Sequence, residues 1–300
     1  MGFGISSTAG PAAAQEILLS GPLAGAPAVR ASSSPNPGSR LSDEFLLPSG
    51  QLELGGELAF LTSDARGAHR SLELTDVGLL RLGARRAIND WVELFAGTEL
   101  LVKQPEAWDE PIWQSVLGGL LVPFGHRLAA SLEGAGGKLF EEQGLWWQGQ
   151  SSLLAKPVIG RWARFELGLG YSMTQFDIDR DPRPFWLEEL VAHAETQLGE
   201  EEFAAWVGVD YSLPLASGPD RPSRTDARFL DPNVSLDLHV GAVVSPRKSN
   251  WDLFVIYSVV DRGDLERPET TLPILDGGFD QRQLAIGVQH RFGVEAAERD

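Results

Sequence analysis

The sequence predicts an all-β fold: a transmembrane, antiparallel, up-and-down β-barrel of about twelve strands. Three observations predict it. From about Gln51 to Phe292 the chain reads as successive stretches of alternating apolar and polar residues. Such a period of two sets one face of a strand toward lipid and the other toward a lumen. The connections between the stretches alternate between short and long, as periplasmic turns and external loops do. Aromatic residues gather at both ends of the stretches, where two membrane interfaces would select them.

The strands justify themselves in order. The first, about Gln51 to Thr62, sets Leu52, Leu54, Leu58 and Phe60 against Glu53 and Glu57. The second, about Ser71 to Arg86, opposes Leu80, Leu82 and Ala84 to Arg81 and Arg85, and Asn89-Asp90 is a tight turn. The third, about Trp91 to Val102, sets Val92, Leu94 and Leu100 against Glu93 and Glu99. The fourth and fifth flank Phe124-Gly125-His126. The fourth has no clear phase, and the fifth opposes Leu128, Ala130 and Leu132 to Ser131 and Glu133. The sixth, about Leu145 to Lys156, carries Gln148, Gln150 and Ser152 on one face. The seventh sets Phe165, Leu167, Leu169, Tyr171 and Met173 against Glu166 and three small residues.

The eighth, about Leu187 to Leu198, has helix-forming residues at its start, but alternation through His193, Glu195 and Gln197 makes it a strand. The ninth alternates Phe203, Ala205, Val207, Val209, Tyr211 and Leu213 with Trp206, Gly208, Asp210 and Ser212. The tenth sets Val234, Leu236, Leu238, Val240, Ala242 and Val244 against Ser235, Asp237 and His239. The eleventh puts Trp251, Leu253, Val255, Tyr257 and Val259 on its apolar side. The last, about Gln281 to Phe292, opposes Leu284, Ile286 and Val288 to Gln283, Gln289 and Arg291.

The segment boundaries follow. Residues 1–50 are rich in Ala, Pro, Ser and Gly and read as a flexible segment: a leader remnant, a tether or a partial plug. Residues 51–293 form the barrel and 294–300 a tail. An even strand count puts both termini at the short-turn, periplasmic side. Trp91, Trp162, Phe203 and Trp251 follow short turns, and Trp113, Trp146, Trp147 and Trp186 follow long loops.

Composition excludes several classes. The chain of 300 residues has no cysteine, hence no disulfide framework, thiolate metal site or cysteine nucleophile. A formal charge of −17 argues against nucleic acid, whose phosphates need clustered Lys and Arg. No apolar run approaches the roughly 20 residues of a membrane helix. Mean hydropathy is only −0.11, because a barrel hides its apolar band at every second position.

The expected lumen face holds Glu53, Glu57, Glu93, Glu99, Glu133, Glu166, Glu195, Asp210 and Asp237 against Arg81, Arg85, Lys156 and Arg291, with His193 and His239 among them. An acidic surplus in a narrow tube concentrates cations. The competing expectation is that these charges pair and fill the lumen. No metal, cofactor, phosphate loop or zinc-type His pair is expected. The leading function is passive passage of small solutes with a weak cation preference, the 261–280 loop being a candidate constriction. The alternatives are a membrane hydrolase using His239, with Ser235 and Asp237, or His193, and a closed barrel serving as a surface anchor or adhesin.

Gly287-Val288-Gln289-His290-Arg291-Phe292 resembles the terminal strand signal of outer-membrane barrels, with Gly287 and Phe292 as its marks. His290 and the eight residues after Phe292 depart from that pattern. The resemblance implies a bacterial outer-membrane address, contact with outer-membrane lipid and recognition by the barrel assembly machinery. Residues 48–100 are similar in places to transporter-like barrels described as components of a phenol-degradation pathway: Pro48-Ser49-Gly50-Gln51-Leu52-Glu53-Leu54-Gly55, Leu80-Arg81-Leu82-Gly83 and Asp90-Trp91-Val92-Glu93-Leu94. That family implies a channel for small, hydrophobic solutes.

Overall fold

The computed structural model describes residues 45–65, 71–104, 112–138, 144–160, 162–178, 185–200, 202–218, 235–246, 249–262 and 279–293. Twelve strands form one closed antiparallel barrel. They are β1 (Leu52–Ala65), β2 (Ser71–Asn89), β3 (Val92–Lys103), β4 (Trp113–Pro123), β5 (Leu128–Lys138) and β6 (Gly144–Ile159). They continue as β7 (Ala163–Ile178), β8 (Phe185–Glu200), β9 (Phe203–Gly218), β10 (Ser235–Val244), β11 (Trp251–Arg262) and β12 (Phe279–Phe292). Each strand pairs with its neighbours in sequence, and β12 returns to pair with β1 from Leu52↔Phe292 to Ala65↔Phe279. Closure leaves no strand edge, as hydrocarbon demands.

The faces follow the pleat. Leu54, Leu58, Leu82, Leu132, Leu153, Leu169, Val207, Leu238, Leu253 and Ile286 stand exposed on the outside of an otherwise well-packed molecule. Exposed leucine and valine on every side have no counterpart in a water-soluble domain, which buries such residues. The outward band of β7 runs Phe165, Leu167, Leu169, Tyr171 and Met173, then turns polar at Gln175 and Asp177. Several strands, β2 with 19 residues above all, exceed the roughly 10 residues needed to cross a membrane. Their surplus lies at the long-loop end, where the ladder continues after the apolar band has stopped.

Turn chemistry sets the other end. Asn89 Oδ1 accepts hydrogen bonds from the backbone N–H groups of Trp91 and Val92, each at 2.9 Å, closing the β2–β3 turn. Gly125 turns the chain between β4 and β5 at φ 84°, a conformation that side chains resist.

A second device recurs inside the wall. Phe95, Trp206, His239 and Phe254 each pair across the ladder with a glycine: Gly119, Gly241, Gly208 and Gly287 respectively. Each glycine lacks the Cβ that would meet the neighbouring ring. The rings therefore lie flat along the inner wall instead of projecting across the interior, the same rescue by which aromatic side chains cover strand glycines elsewhere.

The structure corrects one expectation and gives two others their physical reason. The segment before the barrel is not wholly unpacked: Phe45, Leu46 and Leu47 are 8%, 7% and 6% exposed and cluster with Leu121, Ala129 and Leu154. Those partners are inward residues of β4, β5 and β6 at the short-turn end, so these residues pack into that mouth. Trp146 does not belong to an interfacial belt: it is 1% exposed and faces inward, while Trp147 is outward. The unclear phase of β4 has a cause, since Leu117 and Leu121 on its inner face match Val116, Leu120 and Val122 outside. The leader candidates before residue 45, Val234, the 263–278 part of the candidate constriction and the tail at 294–300 lie outside the described residues.

Replacing Gly287 by Ala tests the packed wall. The added Cβ would meet the Gly56 backbone oxygen at 2.7 Å as well as the Phe254 ring, and the backbone cannot rotate away. The G287A variant is expected to yield a markedly smaller fraction of closed barrel, read from the compact band of unboiled protein on detergent gels, whereas Gly149→Ala, with open space at its Cβ, should be neutral.

Candidate functional site

The interior is the candidate site. All fifteen lumen residues read from the sequence point into it, because each shares the inward phase of its strand. The structure sorts them into two charged walls.

The first wall, on β1, β2, β3, β11 and β12, is a ladder of ion pairs. Near the short-turn mouth, Arg85 Nε donates to Glu53 Oε1 at 2.9 Å and its Nη1 to Glu93 Oε1 at 3.3 Å. Arg291 Nε lies 3.2 Å from Glu53 Oε2, and its Nη2 donates to Asp252 Oδ2. Gln289 Nε2 donates to Asp252 Oδ2 at 2.7 Å and to Glu53 Oε2 at 3.2 Å. Ser245 Oγ donates to Asp252 as well. One level further in, Arg81 bridges Glu99 at 2.6 Å and Glu57 at 2.8 Å, and donates to Gln283 Oε1 at 3.0 Å. The expectation that the charges pair with one another describes this wall.

The residues before β1 join that ladder. The Leu47 backbone N–H donates to Glu93 Oε2 at 2.7 Å. The Lys156 ammonium lies 4.5 Å from the centre of the Phe45 ring, a cation–π contact.

The second wall, on β7 to β10, is acidic. Register sets Glu166 directly opposite Glu195, and Asp210 opposite Asp237. Like charges so placed repel. Two imidazoles lie among them. His193 Nδ1 hydrogen-bonds Asp210 Oδ1, and its Nε2 is 4.0 Å from Glu166 Oε1. His239 Nε2 is 3.1 Å from Glu195 Oε2 and its Nδ1 3.5 Å from Asp210 Oδ2. The result is a chain Glu166–His193–Asp210–His239–Glu195 with the two rings stacked at 6.1 Å. Asp210, Asp237 and His239 bring one ligand atom each within 4.8 Å of one another, a set of the oxygen and imidazole type that holds divalent metals. His239 thus turns toward two carboxylates, while Ser235, its candidate partner in a hydrolase, lies four residues before it on β10, in backbone register with Ser212 of β9.

Glu133 stands between the walls, on β5 opposite Gln150 of β6. Of the two marks of the terminal signal, Gly287 faces inward beneath the Phe254 ring and Phe292 is exposed at the outer rim. His290, the departure from that signal, packs tilted against Trp251 at 4.3 Å and edge-on to Phe292 at 4.4 Å. Its ring takes a place in the aromatic girdle. Sequence reading passed over Asp252, although it alternates with Trp251 and Leu253 and so carried the inward phase. Phe45 to Leu47 had no periodic signal to find, because three residues of irregular chain have none.

The fold is that of outer-membrane β-barrel proteins. No protein-family model matches the chain, and no curated protein does. Among solved structures, an outer-membrane channel from Pseudomonas putida F1 is similar with a TM-score of 0.50 and 9% identity over 84% of this chain and 98% of that one. The translocator domain of the autotransporter NalP from Neisseria meningitidis has a TM-score of 0.46 and 12% identity, covering 88% of this chain and 98% of that one. At these identities the likeness concerns architecture.

Removing the cation from the first wall gives a direct test of its ladder. Arg81→Leu strands Glu57 and Glu99 in a half-buried setting, and the expected loss is about 3 kcal/mol or more. The temperature at which the compact gel band disappears should fall clearly in R81L and much less in R81K.

Proposed function

We propose that this chain is a bacterial outer-membrane channel, with both termini periplasmic, through which small solutes diffuse passively and cations pass more readily than anions. It performs no chemistry of its own in this reading. The carrying observation is the asymmetry of the interior. Arg81, Arg85 and Arg291 hold the carboxylates of the first wall in pairs. On β7 to β10, Glu166, Glu195, Asp210 and Asp237 gather where Arg164 is the single Lys or Arg among the described residues. Acidic groups inside low-dielectric walls draw cations in and turn anions away.

The mechanism follows from position. A solute entering from the long-loop side meets the acidic wall first and the ion-paired level of Arg85 and Glu53 last. Phe45, Leu46 and Leu47 narrow the exit, so flow depends on how far that segment yields.

Planar-bilayer recordings test the reading. Under a salt gradient the reversal potential should show a modest preference for potassium over chloride. Asp210→Asn with Asp237→Asn should move it toward zero, whereas a closed barrel acting only as an anchor would give no current. Phe45→Ser with Leu46→Ser, which removes the apolar contacts with Leu121, Ala129 and Leu154, should raise single-channel conductance.

A further inference from the structure

We infer that the inward faces of β6 and β7 form a binding strip for a neutral, polyhydroxylated solute, a sugar or similar polyol; this rests on the channel reading above and names its substrate class. Five inward side chains there each hold a buried polar atom with no hydrogen bond: Trp146 Nε1, Gln148 Oε1, Gln150 Oε1, Ser172 Oγ and Thr174 Oγ1; the Ser131 hydroxyl on β5, beside Glu133, borders them. None of the five residues is more than 6% exposed. They are contiguous. Gln150 lies opposite Ser172 and Gln148 opposite Thr174 on one side of β6, while Ser131 lies opposite Ser152 on the other. Trp146 continues the β6 row two residues beyond Gln148.

A buried polar atom left unpaired carries its full desolvation cost, and folded proteins tolerate few of them. Five on two adjacent strands mark a surface made to be completed by something that enters. Its chemistry can be read from the atoms. Hydroxyls both donate and accept, amide oxygens accept, and the indole N–H only donates. A partner must therefore offer donors and acceptors in close succession, as neighbouring hydroxyl groups do. Trp146 adds an apolar ring face with a polar edge, suited to a sugar ring with its own apolar C–H surface.

Charge argues for neutrality. The side chains of the strip carry no formal charge, so an anion gains no ion pair from them. A cation finds the wall of Glu166, Glu195, Asp210 and Asp237 instead. The strip and that wall divide the interior: ions follow one side, hydroxylated solutes the other.

The test uses the full chain in two settings. In detergent, maltose is titrated and binding followed by calorimetry; in planar bilayers, maltose is added to the potassium chloride bath. The expected results are saturable binding and saturable block of the current. In Gln150→Leu with Thr174→Val the half-saturating concentration should rise about tenfold, the loss of two modest hydrogen bonds. The isosteric hydroxyl deletion Ser172→Ala should shift it about threefold, which keeps the test open if the double variant folds poorly. A sugar effect that only follows bath viscosity, without saturation and equal in all variants, would mean that water alone completes these atoms and would overturn the inference. Saturable binding without any current would uphold the strip and sink the channel. A steady current without saturable binding would sink the strip alone.

Discussion

Everything in this molecule depends on the ladder between β1 and β12. A polypeptide in hydrocarbon has no water to satisfy its peptide groups, so each N–H and C=O must find a partner within the chain. Eleven hairpin pairings supply most partners, but they leave the first and last strands with one open edge each. The pairing from Leu52↔Phe292 to Ala65↔Phe279 joins those edges. Once the sheet is closed, alternation alone decides what each side chain meets. Odd positions of β9 meet lipid as Val207, Val209 and Tyr211, and even positions meet the interior as Trp206, Asp210 and Ser212.

Closure also creates the problem that the interior solves. A twelve-stranded tube is narrower than the 16-stranded porins, so inward side chains approach one another closely. The first wall answers with arginines that each serve two carboxylates. The second wall answers with imidazoles set between carboxylates. The flat-lying Phe95, Trp206 and Phe254, each over a paired glycine, keep bulk against the wall. These solutions differ in consequence: a ladder of matched charges resists change, whereas the acidic wall is what supports the proposed preference for cations.

Much of this was legible in the sequence because barrel strands encode orientation by parity. Glu53 beside Leu52 and Leu54 can face only one way, and twelve strands could be read from that rule. Parity failed where both faces carry the same chemistry, as in β4 with Leu117 and Leu121 inside and Val116 and Leu120 outside. It also failed to separate Trp146 from Trp147, since two adjacent tryptophans give no sign of which one meets the membrane. Strand length was under-read because the ladder runs on past the apolar band, where no hydropathy contrast remains. Pairing was not legible at all: that Arg81 joins Glu57 and Glu99 depends on register, which turns and bulges set. The packing of Phe45 and Leu46 depends on contacts with strands far along the chain, invisible to any local pattern.

The central claim is that hydrocarbon wets the outer face, and the cysteine-free sequence offers a clean way to measure it. Single cysteines placed at successive positions from 204 to 213, spin-labelled in lipid bilayers, report collision with oxygen, which dissolves in hydrocarbon. The account predicts oxygen accessibility alternating with a period of two, high at 205, 207, 209 and 211 and low between them. Uniform accessibility along β9, or labels at the odd positions that collide with a water-soluble nickel chelate instead, would contradict it.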